Sequence, residues 1–366
     1  MGKIGNCQVA VTAELWTGVH AWLVGAQLYL PATSLTPGQR SRGRIPSTVG
    51  FQEKWRQALT LLRQVRASGI TVTAVVADAE FGDCAALRRA LHRLRLPYAL
   101  GVSADTVVFP GVPTPRPPTP RVGKGRPRKR GVLPADTPRV AAEDWATQQA
   151  AYAWRLVRWR NGTNPPWQAQ FLRPWVTPAH DWRAHRRVAP PVWLLIERDL
   201  GATPRLKCYL VHLPATASWQ AMVHLAHQPW GIEQQYQELK DEVGLDHFEG
   251  RSFHGWHRHV ALTAVAYAFL QRERVRRRRH PLTFPQARAV VTGILTAYYF
   301  LTHRRQLNML IKLAEIPLRI EQSRPYTEAP RHADTAALTP SEASTRRLIS
   351  VTVPSPFTRH RSPSWS

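Results

Sequence analysis

Two carboxylates stand where metal-assisted phosphoryl chemistry would need them. Asp78 ends the β-branched run at residues 70–77 (ITVTAVVA), with Glu80 and Asp83 as neighbouring alternatives. A carboxylate at the carboxyl end of a buried strand is held rigidly, as clamping two divalent ions about 4 Å apart around one phosphate requires. A strand-ending turn or helix-capping aspartate is the competing reading. Glu233 lies in residues 230–240 (WGIEQQYQELK). On a helix Glu233, Tyr236, Gln237 and Lys240 share a face, because offsets of three, four and seven bring residues back above one another. One carboxylate to bind metal and one lysine two turns later to hold a phosphate suit that chemistry, and an ordinary solvated Glu and Lys face is the alternative.

Further groups could contact a polyanion. Residues 244–252 (GLDHFEGRS) and 256–259 (WHRH) are dense in phosphate-binding types, including Arg251 and Arg258. His257 and His259 are two apart and would diverge on a helix, so they lack a zinc spacing. Trp154-Arg155 and Trp159-Arg160 could stack on an unpaired or flipped base, with core packing as the other fate of these tryptophans. Gly125-Arg126-Pro127, flanked by Lys124 and by Arg128, Lys129 and Arg130, resembles an AT-hook, an extended Arg-Pro pair for a narrow minor groove, or else a generic basic loop. Arg276 to 279 would contact phosphates or simply end a helix favourably.

The charge agrees: 50 Lys and Arg against 24 Asp and Glu leave +26, which calls for nucleic acid or an anionic membrane surface. No apolar run reaches 18 residues, which excludes a transmembrane helix, and the first residues lack a secretory pattern, so a cytoplasmic protein is expected. Cys7, Cys84 and Cys208 are odd in number and far apart, and read as reduced packing residues.

The elements that must position these residues read as α/β. With 43% hydrophobic and 20% charged residues the chain should mostly fold. Residues 7–15 and 20–30 read as neighbouring strands joined at Thr17-Gly18. Residues 51–68 form an amphipathic helix through Trp55, Leu59, Leu62 and Val65. The strand at 70–77 follows, then a helix capped by Asp83 with a face of Leu87, Leu91 and Leu94, and a strand at 98–102. Residues 104–191 are a basic, Trp- and Pro-rich insertion, β-rich and loop-rich. Strands at 192–200 and 205–214, a helix at 218–242 and another at 259–271 return to the pattern of the first part. The resulting division is 1–103 and 192–300 as two parts of one core, 104–191 as the insertion, 301–321 as a helical segment and 322–366 as a disordered tail.

The blocks VVADAEFGD (75–83), GKIGNCQVAV (2–11), HAWLVGAQLYLP (20–31) and the stretch 230–271 around IEQQYQELKDEVGLDHFEGRSFHGWHRH resemble the DDE transposases of bacterial insertion sequences. The branch is that of DDE superfamily endonucleases related to the Y-x2-R-x3-E-x6-K signature, and the likeness runs over residues 2–300. It implies an RNase H-like mixed sheet carrying three acids, two Mg²⁺ or Mn²⁺ ions, and a β-rich insertion before the last acid. Asp78 matches the second acid and Glu233 the third, both as metal ligands, and Lys240 matches a lysine that contacts DNA backbone near the cleaved end. Pro229 and Ala226 stand where the signature has arginine and tyrosine.

The first acid of the family lies on the strand before GKIGNCQ. Residues 1–77 contain no Asp, and only Glu14 and Glu53 as carboxylates. The resemblance therefore implies an amino-terminally truncated transposase, or a start site placed too far downstream. The expected activity is cleavage and strand transfer on double-stranded DNA at insertion-sequence ends, impaired by loss of the first Asp. Self-association in a synaptic complex, association with the nucleoid and no membrane partner are also expected. A non-enzymatic DNA-binding remnant or regulator is the alternative, and an RNase H-like host nuclease a third.

Overall fold

The computed structural model of the protein describes residues 8–18, 20–117, 131–160, 167–201, 203–276, 282–303 and 348–352. The first half runs β1 (Ala10–Trp16), β2 (Ala21–Leu28), α1 (Pro37–Gly43), α2 (Lys54–Ala67), β3 (Ala74–Ala77), α3 (Ala79–Gly82), α4 (Ala85–Arg93), β4 (Tyr98–Val102) and β5 (Val107–Pro110). Next come β6 (Val140–Ala141), α5 (Ala142–Thr147), β7 (Arg155–Arg160), β8 (Trp167–Leu172), β9 (Trp175–Pro178), α6 (His180–His185), β10 (Val192–Arg198) and β11 (Leu206–His212). The last elements are α7 (Trp219–Ala226), α8 (Pro229–Asp241), α9 (Phe253–Arg276), α10 (Phe284–Thr302) and β12 (Leu348–Thr352).

The chain divides into two units. The first comprises residues 1–235, 250–257 and 345–366, and the second residues 236–249 and 258–344. The first unit is built on a mixed sheet in the order β2, β1, β12, β3, β4, β11, β10, β9, β5, β6, with β8 also pairing β10 and carrying β7. Strands β1 and β2 are antiparallel about a turn in which Gly18 has φ +91°, a conformation that favours glycine. Strands β3 and β4 are parallel, with α3 and α4 in the crossover. The insertion extends this sheet, because β8 and β9 hydrogen-bond to β10.

One sheet face is the apolar core. It takes Val11 and Ala13 from β1, Ile349 from β12, Val75 and Ala77 from β3, Leu100 and Val102 from β4, Cys208 and Leu210 from β11, and Leu194 and Ile196 from β10. Helix α2 covers it with Ala58, Leu59, Leu61, Leu62 and Val65, and α4 with Leu87, Ala90 and Leu91. Each large apolar side chain buried this way stabilises the fold by about 1.5–3 kcal/mol. Because side chains alternate along a strand, the residues between these positions share the opposite face: Thr12, Glu14, Ser350, Val76, Gly101, Tyr209 and Glu197.

Three expectations need correction. The helix expected over 218–242 is two, α7 and α8, because Pro229 has no N–H to continue the ladder and starts a new helix. Asp83 does not cap α4, whose N-cap is Cys84. Within the tail expected to be disordered, Leu348–Thr352 forms β12 in the middle of the sheet, antiparallel to β1 and parallel to β3. The alternating LISVT run has strand character that the surrounding Ser-, Pro- and Arg-rich composition conceals.

In the second unit, Tyr267 of α9 donates its hydroxyl to Glu238 at 2.7 Å and stacks on Phe284, and Arg288 pairs with Glu242 at 3.0 Å. Helix α10 starts with a capping box between Thr283 and Gln286.

Candidate active site

Asp78 follows β3 in extended conformation (φ −77°, ψ −175°), at the N-cap position of α3, and its side chain makes no capping hydrogen bond. Its neighbours are otherwise engaged. Glu80 pairs with Lys54. Asp83 accepts hydrogen bonds from the Ser103 amide at 3.1 Å and the Thr106 hydroxyl at 3.2 Å, which ties the end of α3 to the loop after β4. Of the three carboxylates in this block, Asp78 alone makes no ion pair or hydrogen bond to a neighbouring element, and the donors that bear on it are the Phe81 and Glu80 backbone N–H groups of its own turn. The turn that carries it lies directly on β4. A Cβ on Gly82 would stand 1.7 Å from the Gly101 carbonyl oxygen, and one on Gly101 would stand 3.2 Å from the Ala79 nitrogen. Two glycines thus let the strand end and the sheet touch backbone to backbone. Desolvation by its surroundings is the largest influence on the Asp78 carboxyl and raises its pKa above the usual 3.8. Glu80 adds to the rise, while the backbone N–H groups of Phe81 and Glu80 and the Lys54 ammonium oppose it.

Glu233 is exposed on α8. The helix is seated by its buried residues Ile232 and Gln235 and by Gly231, where a Cβ would stand 2.5 Å from the Trp16 ring of β1. Gly101 touches the Asp78 backbone and Tyr209 is its cross-strand partner, so the strand end that carries Asp78 and the Tyr209 position lie on one face across β3, β4 and β11. The Glu233 charge is the smallest of the influences that raise the Tyr209 pKa, behind desolvation, Glu197 and Cys208.

Sequence reasoning missed the acid beyond them. Glu197 of β10 is buried, accepts the Tyr209 hydroxyl at 3.3 Å and lies 3.2 Å from His227 Nε2. The indole of Trp159 stacks on His227 with centroids 4.0 Å apart. A lone Glu within VWLLIER and a His at the end of α7 give no pattern by which to find them.

The remaining expected residues are placed as follows. Trp154 is buried under Arg198, whose guanidinium lies 3.9 Å from its ring centroid, so this ring is used in packing. One face of Trp159 is taken by His227. Arg251 in the first unit and Arg258 in the second are exposed, and Lys240 is half-buried in the second. Lys124, Arg126, Arg128, Lys129 and Arg130 lie outside the described residues, as do residues 277–279. His257 bonds the Phe253 carbonyl at 2.8 Å and His259 the Gly244 carbonyl at 3.0 Å, as ordinary helix-packing histidines do.

Among the described residues no group of three or more His, Cys, Asp or Glu side chains is gathered closely enough to hold a metal ion. Asp78 and Glu233 have the chemistry of metal ligands, but the donor set required for a two-ion centre is not assembled by these residues.

A mixed sheet with helices packed on it gives the protein an RNase H-like α/β fold, with Asp78 at the end of one of its central strands. Residues 1–166 match the family described as DDE superfamily endonuclease. That match contains Asp78 and ends before Glu233. No curated protein matches the chain. The family acts by cleaving DNA and generally uses divalent metal ions. Among the described residues no helix is long and apolar enough to cross a membrane.

Proposed function

We propose that the chain acts as an insertion-sequence transposase on double-stranded DNA, cleaving a phosphodiester at the element end and joining the released 3′-hydroxyl to target DNA. Asp78 and Glu233 are its two acidic residues. Lys240, Arg251 and Arg258 contact backbone phosphates, together with the basic run 124–130, and copies of the chain associate when two ends are brought together. The observation that carries this reading is Asp78: it stands exposed at the end of β3 inside the matched region, while Glu80 and Asp83 are tied to Lys54 and to the loop after β4. The absence of a third ligand among the described residues favours low activity, and it supports a second reading as a DNA-binding regulator that occupies element ends without cutting.

A nicking assay on supercoiled DNA in Mn²⁺ separates the two. The expected result is weak nicking that disappears in Glu233→Ala, an exposed position whose loss leaves the fold intact. Retention of DNA with no nicking above the Glu233→Ala background would transfer the reading to the regulator, and failure to bind duplex DNA would end both.

A further inference from the structure

The loop between β2 and α2 carries basic side chains at the same end of the sheet as Asp78. Strand β2 runs parallel to β3, because β2 and β12 are both antiparallel to β1 and β12 is parallel to β3. The chain therefore leaves β2 at the carboxyl end of β3, and it returns there at Lys54, which pairs with Glu80 two residues after Asp78. Arg40 stiffens the loop: its guanidinium donates to the carbonyls of Leu35 at 3.0 Å, Pro46 at 2.9 Å and Val49 at 2.7 Å. Arg42 and Arg44 are exposed on this frame. Exposed Arg251 joins them, since a Cβ on Gly43 would stand 3.5 Å from its carbonyl oxygen. Among the described residues none of these three guanidinium groups is in an ion pair with an acid.

Arg44 ends α1 in the left-handed region (φ 48°, ψ 43°), a place that suits glycine and strains a residue with a Cβ. The glycine stands one residue earlier, at 43, and an arginine takes the strained turn. Strain that a fold tolerates gathers where a side chain is used. Arg95 and Arg186 share this conformation but not this place, since Arg95 precedes β4 and Arg186 follows β9 by way of α6, both at the opposite end of the sheet.

We propose that Arg42, Arg44 and Arg251 form a phosphate-binding site for the backbone of a DNA strand lying across this end of the sheet, and that the strained turn serves to present the Arg44 guanidinium to it. Three guanidinium groups with no acid among them repel one another, and a phosphodiester relieves that repulsion while accepting paired N–H donors. Strand β2 lies three strand spacings from β3, ~14 Å, so the phosphates held here are roughly four nucleotides from one at Asp78. A lipid headgroup offers the same phosphate. DNA is favoured because Arg42 and Arg44 lie with Asp78 inside the region matched to endonucleases.

The inference rests on DNA as the substrate, and its test needs no cleavage. Arg44→Gly removes the strain and the charge together, so the urea midpoint should rise while binding of a duplex at about 100 mM salt weakens roughly fivefold to tenfold, with the slope of log K against log salt smaller by ~0.9. Arg44→Lys keeps the strain and the charge, and should keep the slope. A more stable Arg44→Gly chain with unchanged DNA binding overturns the site. A less stable one makes Arg44 a packing residue and overturns it as well. Weaker binding of Arg44→Gly to phosphatidylserine vesicles, with DNA binding intact, gives the phosphate to lipid and also overturns it. If DNA binding falls as expected while the wild type nicks no DNA, the phosphate site stands and the cleavage reading falls. Where the wild type does nick, Arg44→Gly should raise KM roughly fivefold to tenfold at unchanged kcat, and a loss of kcat at unchanged KM overturns the assignment.

Discussion

At the scale of single residues, the site can be separated from the scaffold by its response to pH and substitution. The fold disfavours the charged form of Asp78, so this residue costs stability once pH rises above the ordinary value of 3.8. Asp78→Asn should therefore hold or raise the unfolding midpoint at pH 7, by under ~1 kcal/mol because the position is solvent-screened, with the difference vanishing below pH 3.8. Nicking by the same variant should be lost, and a large loss of stability would instead make Asp78 a structural capping residue. His92 behaves in the opposite sense. Burial, followed by the neighbouring His212 and Arg88, lowers its pKa from 6.5 to about 4, and its imidazole lies 3.0 Å from the Tyr98 hydroxyl. A depressed pKa gives stability that is present above pH 6.5 and lost as pH falls toward 4. His92→Gln should flatten that part of the urea-denaturation profile, by about 1–2 kcal/mol over the window.

At the scale of elements, the acids depend on two close backbone approaches. Gly82→Ala drives a methyl into the Gly101 carbonyl, and should cost ~2–4 kcal/mol in denaturant midpoint and depress nicking although Asp78 itself is unchanged. Gly231→Ala should likewise displace α8 from Trp16, and Trp16→Leu should restore part of the loss because the obstacle is that ring. Much of this scaffold was readable from the residues. The three- and four-residue spacing of Trp55, Leu59, Leu62 and Val65 states the helical period of α2, whose one face is buried, and the β-branched run before Asp78 marks β3, which is buried throughout. The pairings were not readable. Nothing local to LISVT says that it enters the sheet between β1 and β3, because that choice is made by a gap formed nearly three hundred residues earlier in the chain. The place of Asp78 at the end of β3 was readable because a strand end is a sequence feature. Glu197 was not, because its role comes from Tyr209 and His227, which only the fold brings to it.

At the scale of the whole molecule, the charge decides how DNA is met. A chain of +26 will attract any polyanion, so attraction alone does not distinguish a DNA-binding surface from a sticky one. Salt dependence does. Each phosphate neutralised by a Lys or Arg releases condensed counterions, so log K for duplex DNA should fall linearly with log salt, by ~0.9 per contact. Arg251→Ala and Arg258→Ala each remove one exposed guanidinium. If these residues touch backbone phosphates, each substitution should weaken binding equally on every duplex sequence and reduce the slope by ~0.9, as read by fluorescence anisotropy from 50 to 300 mM salt. An unchanged slope would leave both side chains as ordinary solvated charges and move the contacts to the basic run at 124–130. Vesicles of anionic lipid offer the same sign of charge without the duplex. Binding to them that equals or exceeds binding to DNA at 150 mM salt would count against a surface shaped for DNA, whereas a steep DNA slope with weak vesicle binding would tie the charge to duplex DNA.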